Sequence, residues 1–327
     1  MKYNEFPASG RAISAVGFGA MGFAGWFGSN DEALWRRSLI SALEQGVNIV
    51  DTARAYGESE RIVGEALREW SGEQPFVATK VESLGPHRLR WGVPRPVEEV
   101  FPHGQVTLSA ETSLRELGID RLDLLQLHLW WGTWGTEGYW LDELRALQDR
   151  GLVSHIGVSI PDHRSDMALP LVQSGAIDSV QTIVNVFDPL ALDVLVPACQ
   201  QHGVAVLARC VLDEGGLTGA VTRDRVFDAD DYRAVYFDAT VPREAYLEKV
   251  DALRQYVPEH ASSLAALALK FVAERPGVTS ALTSMHTLKH GAANIAALDE
   301  PPLNEDLVRT LATRHRFVKN FNHATHW

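Results

Sequence analysis

Val47-Asn48-Ile49-Val50-Asp51-Thr52-Ala53-Arg54-Ala55-Tyr56-Gly57 is an apolar run that stops at an acid and leads into a tyrosine in a glycine-containing turn. The apolar residues predict a buried strand over Val47–Asp51. The acid at its end and the tyrosine beyond suggest a reactive hydroxyl with a fixed carboxylate nearby, an arrangement that serves chemistry more than packing. Outward from this stretch the same unit recurs. Further strands are predicted at Ile13–Gly19, Phe76–Lys80, Leu122–His128, Ser154–Ser159, Ser179–Val184, Val204–Cys210 and Val278–Ser284. Helical spacing follows each in turn: 31–46, Ser59–Trp70, Gln105–Leu117, Leu141–Arg150, Asp166–Ser174, Pro189–His202, Ser262–Glu274 and Leu288–Leu298.

Strand ends fall about one βα unit apart, except between Lys80 and His128 and between Cys210 and Ser284. A near-constant period with apolar strands predicts a parallel sheet covered by helices, and eight units favour a closed (β/α)8 TIM barrel over an open doubly wound sheet. The turn Gly17-Phe18-Gly19-Ala20-Met21-Gly22 fits GxGxxG, a weak signal here because Asp51 has a better use than a ribose contact. The chain reads as one barrel domain over 1–327. In a barrel the strand-to-helix loops build the active face, so the long stretches 81–104 and 211–245 are read as loop insertions there. The first carries Pro86, His87, Arg88, Arg90, Pro94, Pro96 and Pro102. The second carries Asp213-Glu214-Gly215-Gly216-Leu217-Thr218-Gly219. Residues 314–327 form a tail that either folds over the pocket or frays.

A chain of 327 residues buries roughly 75% of its unfolded surface, so its core needs neither disulfide nor metal. Cys199 and Cys210 lie outside any disulfide framework or metal-ligand spacing, and a reducing, cytoplasmic setting is expected. The opening residues lack the apolar core of a signal peptide, and no run of about 18 apolar residues occurs. A net charge of −12 argues against a general attraction for nucleic acid, while leaving room for a small anionic ligand held by local cations.

Asp51, Lys80 and His128 close three successive strands, and a parallel barrel gathers such residues at its C-terminal rim with Tyr56 above them. Each alone has an ordinary structural reading; convergence of all four is harder to explain that way. Reduction of a carbonyl needs a proton donor near the oxygen. A tyrosine is a poor acid near neutrality unless a cation favours its phenolate, and one charge at ~4 Å supplies on the order of 4 kcal/mol. Lys80 is suited to that, Asp51 to aiming Lys80, and His128 to orienting the substrate oxygen.

Val-Asp-Thr-Ala-x-x-Tyr-Gly, then Ala-Thr-Lys80, then Leu-Leu-Gln-Leu-His128 resemble the catalytic tetrad of the aldo-keto reductases in order and context. The resemblance runs from the Gly17–Met21 turn to Asn294 and includes Ser113–Gly118 and Ile156–Ser159. It implies a barrel that binds a nicotinamide dinucleotide, with NADPH favoured and NADH open, and reduces an aldehyde or ketone. It further implies that Gly19, Ala20, Met21 and Asp51 lie against the cofactor and that Ser159 and Gln181 hold its carboxamide. Arg209, Cys210 and Leu212 would follow along the cofactor, and Gly216, Leu217, Thr218 and Gly219 would wrap the pyrophosphate. Ser284, His286, His290 and Asn294 would take the adenosine end.

The pattern is broken in four places. Ile160 stands where asparagine is common, and Val184 where tyrosine is. Arg209 replaces a stacking aromatic; its guanidinium is expected to cover the nicotinamide and bias the site toward the reduced cofactor. His286 stands where NADP-preferring relatives often carry arginine, so an advantage of NADPH that grows as pH falls would implicate a histidine. Trp26, Phe27, Trp130 and Trp131, with Tyr56 and His128, are expected to wall a pocket for a bulky or flat carbonyl. Two other classes stay open: a nicotinamide-binding regulatory subunit, and a barrel aldolase forming a Schiff base on Lys80. Monomer and homo-oligomer are both open.

Overall fold

The computed structural model describes residues 1–27, 31–84, 94–228, 231–238 and 242–318. Eight parallel strands close into a barrel: β3 (Val16–Gly19), β4 (Ile49–Asp51), β5 (Phe76–Val81), β6 (Leu122–Leu127), β7 (Val153–Ser159), β8 (Ser179–Ile183), β9 (Ala205–Arg209) and β10 (Ser280–Ser284), which returns to β3. The predicted (β/α)8 TIM barrel is the fold. Side chains alternate across each strand. Ile49, Ala78, Leu124, Leu207 and Leu282 therefore fill the interior, while residues such as Val50, Val77, Leu125 and Val206 pack outward under the helices.

The stretch Ile13–Gly19, predicted as one strand, is two pieces. β1 (Tyr3–Phe6) and β2 (Arg11–Ser14) form an antiparallel hairpin, and the barrel strand begins only at Val16. Ser14 marks the break, since its amide bonds to Asn48 Oδ1 at 2.7 Å and its hydroxyl to the Val16 carbonyl at 2.8 Å, replacing ladder bonds. The hairpin plugs the N-terminal end of the barrel: Phe6 is fully buried, 4.9 Å from the rings of both Phe76 and His155. Phe6→Ala is expected to destabilise the fold by about 3–5 kcal/mol, the usual cost of emptying a buried aromatic site, read as a lowered urea midpoint.

Helical differences from the predicted pattern lie mostly after β9. The 211–245 stretch is no bare loop; it contains the helical turn Asp213–Thr218 and the helix Tyr232–Asp238, and reaches the helix Arg243–Leu253. The predicted helix Pro189–His202 is broken at Val194 (φ −138, ψ −46) into Leu190–Asp193 and Leu195–His202. Glu305–Arg314 is a further helix, capped by Asn304. The start of the tail is anchored, with the Phe317 amide bonded to the Phe187 carbonyl at 2.8 Å. The remaining tail, 319–327, and residues 85–93 of the first long stretch lie outside the described residues.

Candidate active site

Two residues beyond the interior positions Ile49 and Ala78, Asp51 and Lys80 again point inward, at the C-terminal rim. Lys80 is fully buried. Its Nζ lies 2.7 Å from Asp51 Oδ2 and donates to the Thr52 carbonyl at 2.8 Å. The other Asp51 oxygen accepts from Gln181 Nε2 at 2.9 Å. Both charges are thus paired and bonded, the condition under which a buried ion pair persists. Nζ also sits 5.1 Å from the centre of the Tyr56 ring. That ring meets His128 edge-on at 5.6 Å and Trp26 at 6.0 Å. The four residues singled out in the sequence are in one place.

The turn that carries Tyr56 is fixed from below. Arg54 pairs with Glu60 at 2.5 Å, and the buried Glu60 carboxylate also accepts from Thr79 on β5 and Ser113. Ser59 bonds to Thr52 and to the Ala20 carbonyl, both at 2.9 Å. A rigid support of this kind holds a reacting group to the tolerance catalysis requires.

Above the rim is a cavity of about 1000 Å³, at the upper end of small-molecule sites. Asp51, Tyr56, His128, Trp26 and Phe27 line one part of it. Gly19, Met21 and Gln181 continue the wall, as do Arg209, Cys210, Leu212, Thr218 and Gly219. Ser284, His286, His290 and Asn294 complete it. Lys80 is fully buried and does not line the cavity. Ala20 lies beneath the floor, and Leu217 is buried in the core. Gly216 faces away, for a Cβ there would sit 2.0 Å from the Tyr246 hydroxyl.

Trp130 and Trp131, expected to wall the pocket, do not line it. Both are buried in the apolar core, just before the short helical turn Gly132–Trp134. Arg209 also differs in its surroundings. Its guanidinium pairs with Asp162 at 2.5 Å and donates to the Ile160 carbonyl at 3.1 Å. Burial opposes its charge, but Asp162 outweighs burial and keeps it protonated. The carboxylate offsets much of the positive field expected to act on a nicotinamide. Gln181, expected on the carboxamide, gives one of its two amide N–H donors to Asp51.

Glu214, from the stretch read as an active-face loop, also lines the cavity, as do Asp162, His163, Arg225, Phe227 and Arg233, which were not singled out in the sequence. The alternating charged and aromatic residues Arg225, Phe227, Asp231 and Arg233 were the available signal. Among the described residues, four non-glycine residues adopt left-handed backbone: His163 (φ 61), Cys210 (φ 53), Asp213 (φ 47) and Glu214 (φ 53). Such strain gathers at functional sites. Asp213 is held there by the hydroxyls of Tyr236 and Tyr246. Burial first, and the Asp213 charge second, push both tyrosines well above their usual range, so they remain donors. His163 Nδ1 lies 2.5 Å from Asp188. Burial draws its pKa down, but the hydrogen bond and charge of Asp188 raise it overall.

A dinucleotide fits this site on two observations. Ser159 does not itself line the cavity, but its buried Oγ has no hydrogen-bond partner among the described residues and stands in register with the lining residue Gln181 across β7 and β8, a donor and acceptor left over for a polar ligand group. Gly215 (φ 88) has nothing within 4 Å of the place a Cβ would occupy, which leaves the Asp213–Gly219 turn open to a close ligand.

The family model of the aldo/keto reductases matches residues 15–313, and the chain belongs to that family of oxidoreductases. It is 28% identical over 302 residues to the NADH-specific methylglyoxal reductase of Escherichia coli, covering 88% of this chain and 90% of that one. An aldo-keto reductase of Bacillus subtilis is 28% identical over 295 residues, covering 86% and 84%. Among solved structures, a glycerol dehydrogenase from Gluconobacter oxydans superposes with a TM-score of 0.76 at 25% identity over 96% of both chains.

Proposed function

We propose that this protein reduces an aldehyde or ketone with a nicotinamide dinucleotide, with Tyr56 as the proton donor. The observation that carries the reading is the arrangement of Lys80, paired with Asp51 at 2.7 Å and 5.1 Å from the Tyr56 ring. A bound reduced nicotinamide would supply the hydride. Ser159 would hold the carboxamide, the Asp213–Gly219 turn the pyrophosphate, and Ser284 with Asn294 the adenosine end. His128 orients the carbonyl oxygen toward Tyr56. The Tyr56 O–H gives its proton to that oxygen as charge develops, and the Lys80 ammonium favours the phenolate that remains. Asp51 pairs with Lys80 and aims it, a positioning role that Gln181 supports.

The Schiff-base alternative is disfavoured by the burial of Lys80. A nucleophilic amine must be neutral and reach its carbonyl, whereas this one is held by Asp51 and the Thr52 carbonyl. Trp26, edge-on to Tyr56 at 6.0 Å on the cavity wall, favours a flat or apolar carbonyl.

We read the cofactor as NADPH, a choice that does not depend on a charged histidine. Burial, then His290 and Arg233, push His286 down to about 4, so it is neutral across the working range. The decisive assay follows nicotinamide absorbance with methylglyoxal and a panel of aromatic aldehydes, using NADPH and NADH. Turnover of at least one carbonyl is expected, with a ratio of kcat/KM for the two cofactors that stays within about twofold from pH 6.5 to 8, since a group with a pKa of about 4 does not titrate there. Failure to oxidise either cofactor with any carbonyl would sink the reading and revive a non-catalytic role. A clear NADH advantage would overturn the cofactor choice.

A further inference from the structure

The cavity wall formed by the excursion after β9 carries a stack of rings and guanidinium groups. Phe27, after β3, lies parallel to His286, after β10, with centroids 6.5 Å apart. Arg233 bridges outward from this pair, 5.4 Å from the Phe27 ring and 5.3 Å from Phe227, and it donates to the Phe27 carbonyl at 3.3 Å. Arg225 lies 5.7 Å from the same Phe227 ring. All five residues line the cavity, so three separate loops are joined into one wall.

The charges in this wall are not balanced equally. Arg233 is matched by Asp231, which receives both Nε and Nη2. Arg243 donates to the carbonyls of Thr222, Arg223 and Arg225. The turn that presents Arg225 is thereby fixed, and the Arg225 amide closes it on the Thr222 carbonyl at 3.2 Å. The Arg225 side chain makes no ion pair or hydrogen bond among the described residues. The cavity therefore holds a permanent cation, placed on an aromatic platform, with its bidentate fork unused. On the facing loop after β10, His286 is neutral, and Lys289 is exposed and outside the cavity lining.

We propose that Arg225 is an anion subsite of this cavity, and that the anion it takes is the phosphate on the adenosine ribose of NADP(H). The charge that reads the cofactor then comes from the excursion after β9, and not from the loop after β10 where His286 stands. Arg233, stacked between Phe27 and Phe227, positions the wall and leaves Arg225 to meet the ligand. The inference rests on the nicotinamide reading above.

Binding is measured by quenching of tryptophan fluorescence with NADPH and NADH, and by calorimetry with 2′,5′-ADP, for the full chain and its Arg225→Gln and Arg225→Lys variants. Arg225 is exposed, and unchanged circular dichroism and melting midpoint serve as the control for folding. Arg225→Gln is expected to weaken NADPH about tenfold or more, the scale of a charge-assisted bidentate contact. NADH should move by less than about twofold, since it lacks the phosphate that a guanidinium grips. Binding of 2′,5′-ADP should fall with that of NADPH, and Arg225→Lys should recover part of both. An unchanged NADPH affinity overturns the proposal, and so does equal weakening of NADPH and NADH. Wild-type protein that binds NADH but ignores 2′,5′-ADP overturns this inference alone. Protein that binds neither dinucleotide overturns the functional reading beneath it.

Discussion

In Tyr56→Phe, carbonyl reduction is expected to fall by roughly 10²–10⁴-fold in kcat, the range a positioned proton donor contributes, while dinucleotide affinity holds. The variant removes one oxygen. The ring contacts to His128 at 5.6 Å and Trp26 at 6.0 Å are those of a phenyl ring, so the turn keeps its shape. The loss belongs to the chemical step: a donor needed only as charge develops on the carbonyl oxygen lowers kcat without raising the Kd of the cofactor. Stopped-flow mixing with carbonyl separates the two, as cofactor binding is seen in quenching before turnover. A variant that retains more than about a tenth of wild-type kcat would assign the proton to another group, because general acid catalysis rarely contributes less than that. His128, the polar side chain set edge-on to the Tyr56 ring, would be the first to consider.

Much of this site was legible in the sequence because barrels translate position along a strand into position in space. An acid, a lysine and a histidine at the ends of β4, β5 and β6 must share a rim, whatever the loops do. Ser159, Gln181 and Arg209 stand on β7, β8 and β9 for the same reason, and their expected roles toward a cofactor came from the family resemblance. Residues after a strand end are harder. Trp130 and Trp131 sit two and three positions beyond the candidate active-site residue His128, yet both are buried in the apolar core and do not line the cavity. Nothing in local composition separates a tryptophan that walls a pocket from one that packs beneath it.

The Arg225–Phe227–Arg233 wall was hidden for a related reason. Its members act only because Phe27 and His286, far away in the chain, arrive at the same place. Asp162 was missed likewise: its role depends on Arg209, two strands further on, and no periodic pattern links them. The N-terminal hairpin was missed through Ser14, whose side-chain bonds end one pairing and start another within what reads as a continuous apolar run.

The buried pair beneath Tyr56 makes the second large prediction. Lys80→Met is expected to destabilise the protein by about 3–5 kcal/mol, because it leaves the Asp51 carboxylate buried without a countercharge. Among the described residues Gln181 then remains to donate to its side chain, at 2.9 Å, and the Thr52 carbonyl loses the Lys80 donor as well. Methionine fills most of the volume of the lysine stem, so a cavity contributes little. The double variant Asp51→Asn/Lys80→Met is expected to be more stable than the sum of the single losses, by on the order of 2 kcal/mol. Asparagine still accepts from Gln181 and no longer needs a cation. Urea midpoints of the four proteins close the cycle. Strict additivity would mean that the two charges do not act on each other across their 2.7 Å contact, and that the electrostatic account of the rim is wrong. Activity offers a separate check: the double variant recovers stability and remains a poor reductase, since nothing in it favours the Tyr56 phenolate. An active double variant would remove Lys80 from the chemistry.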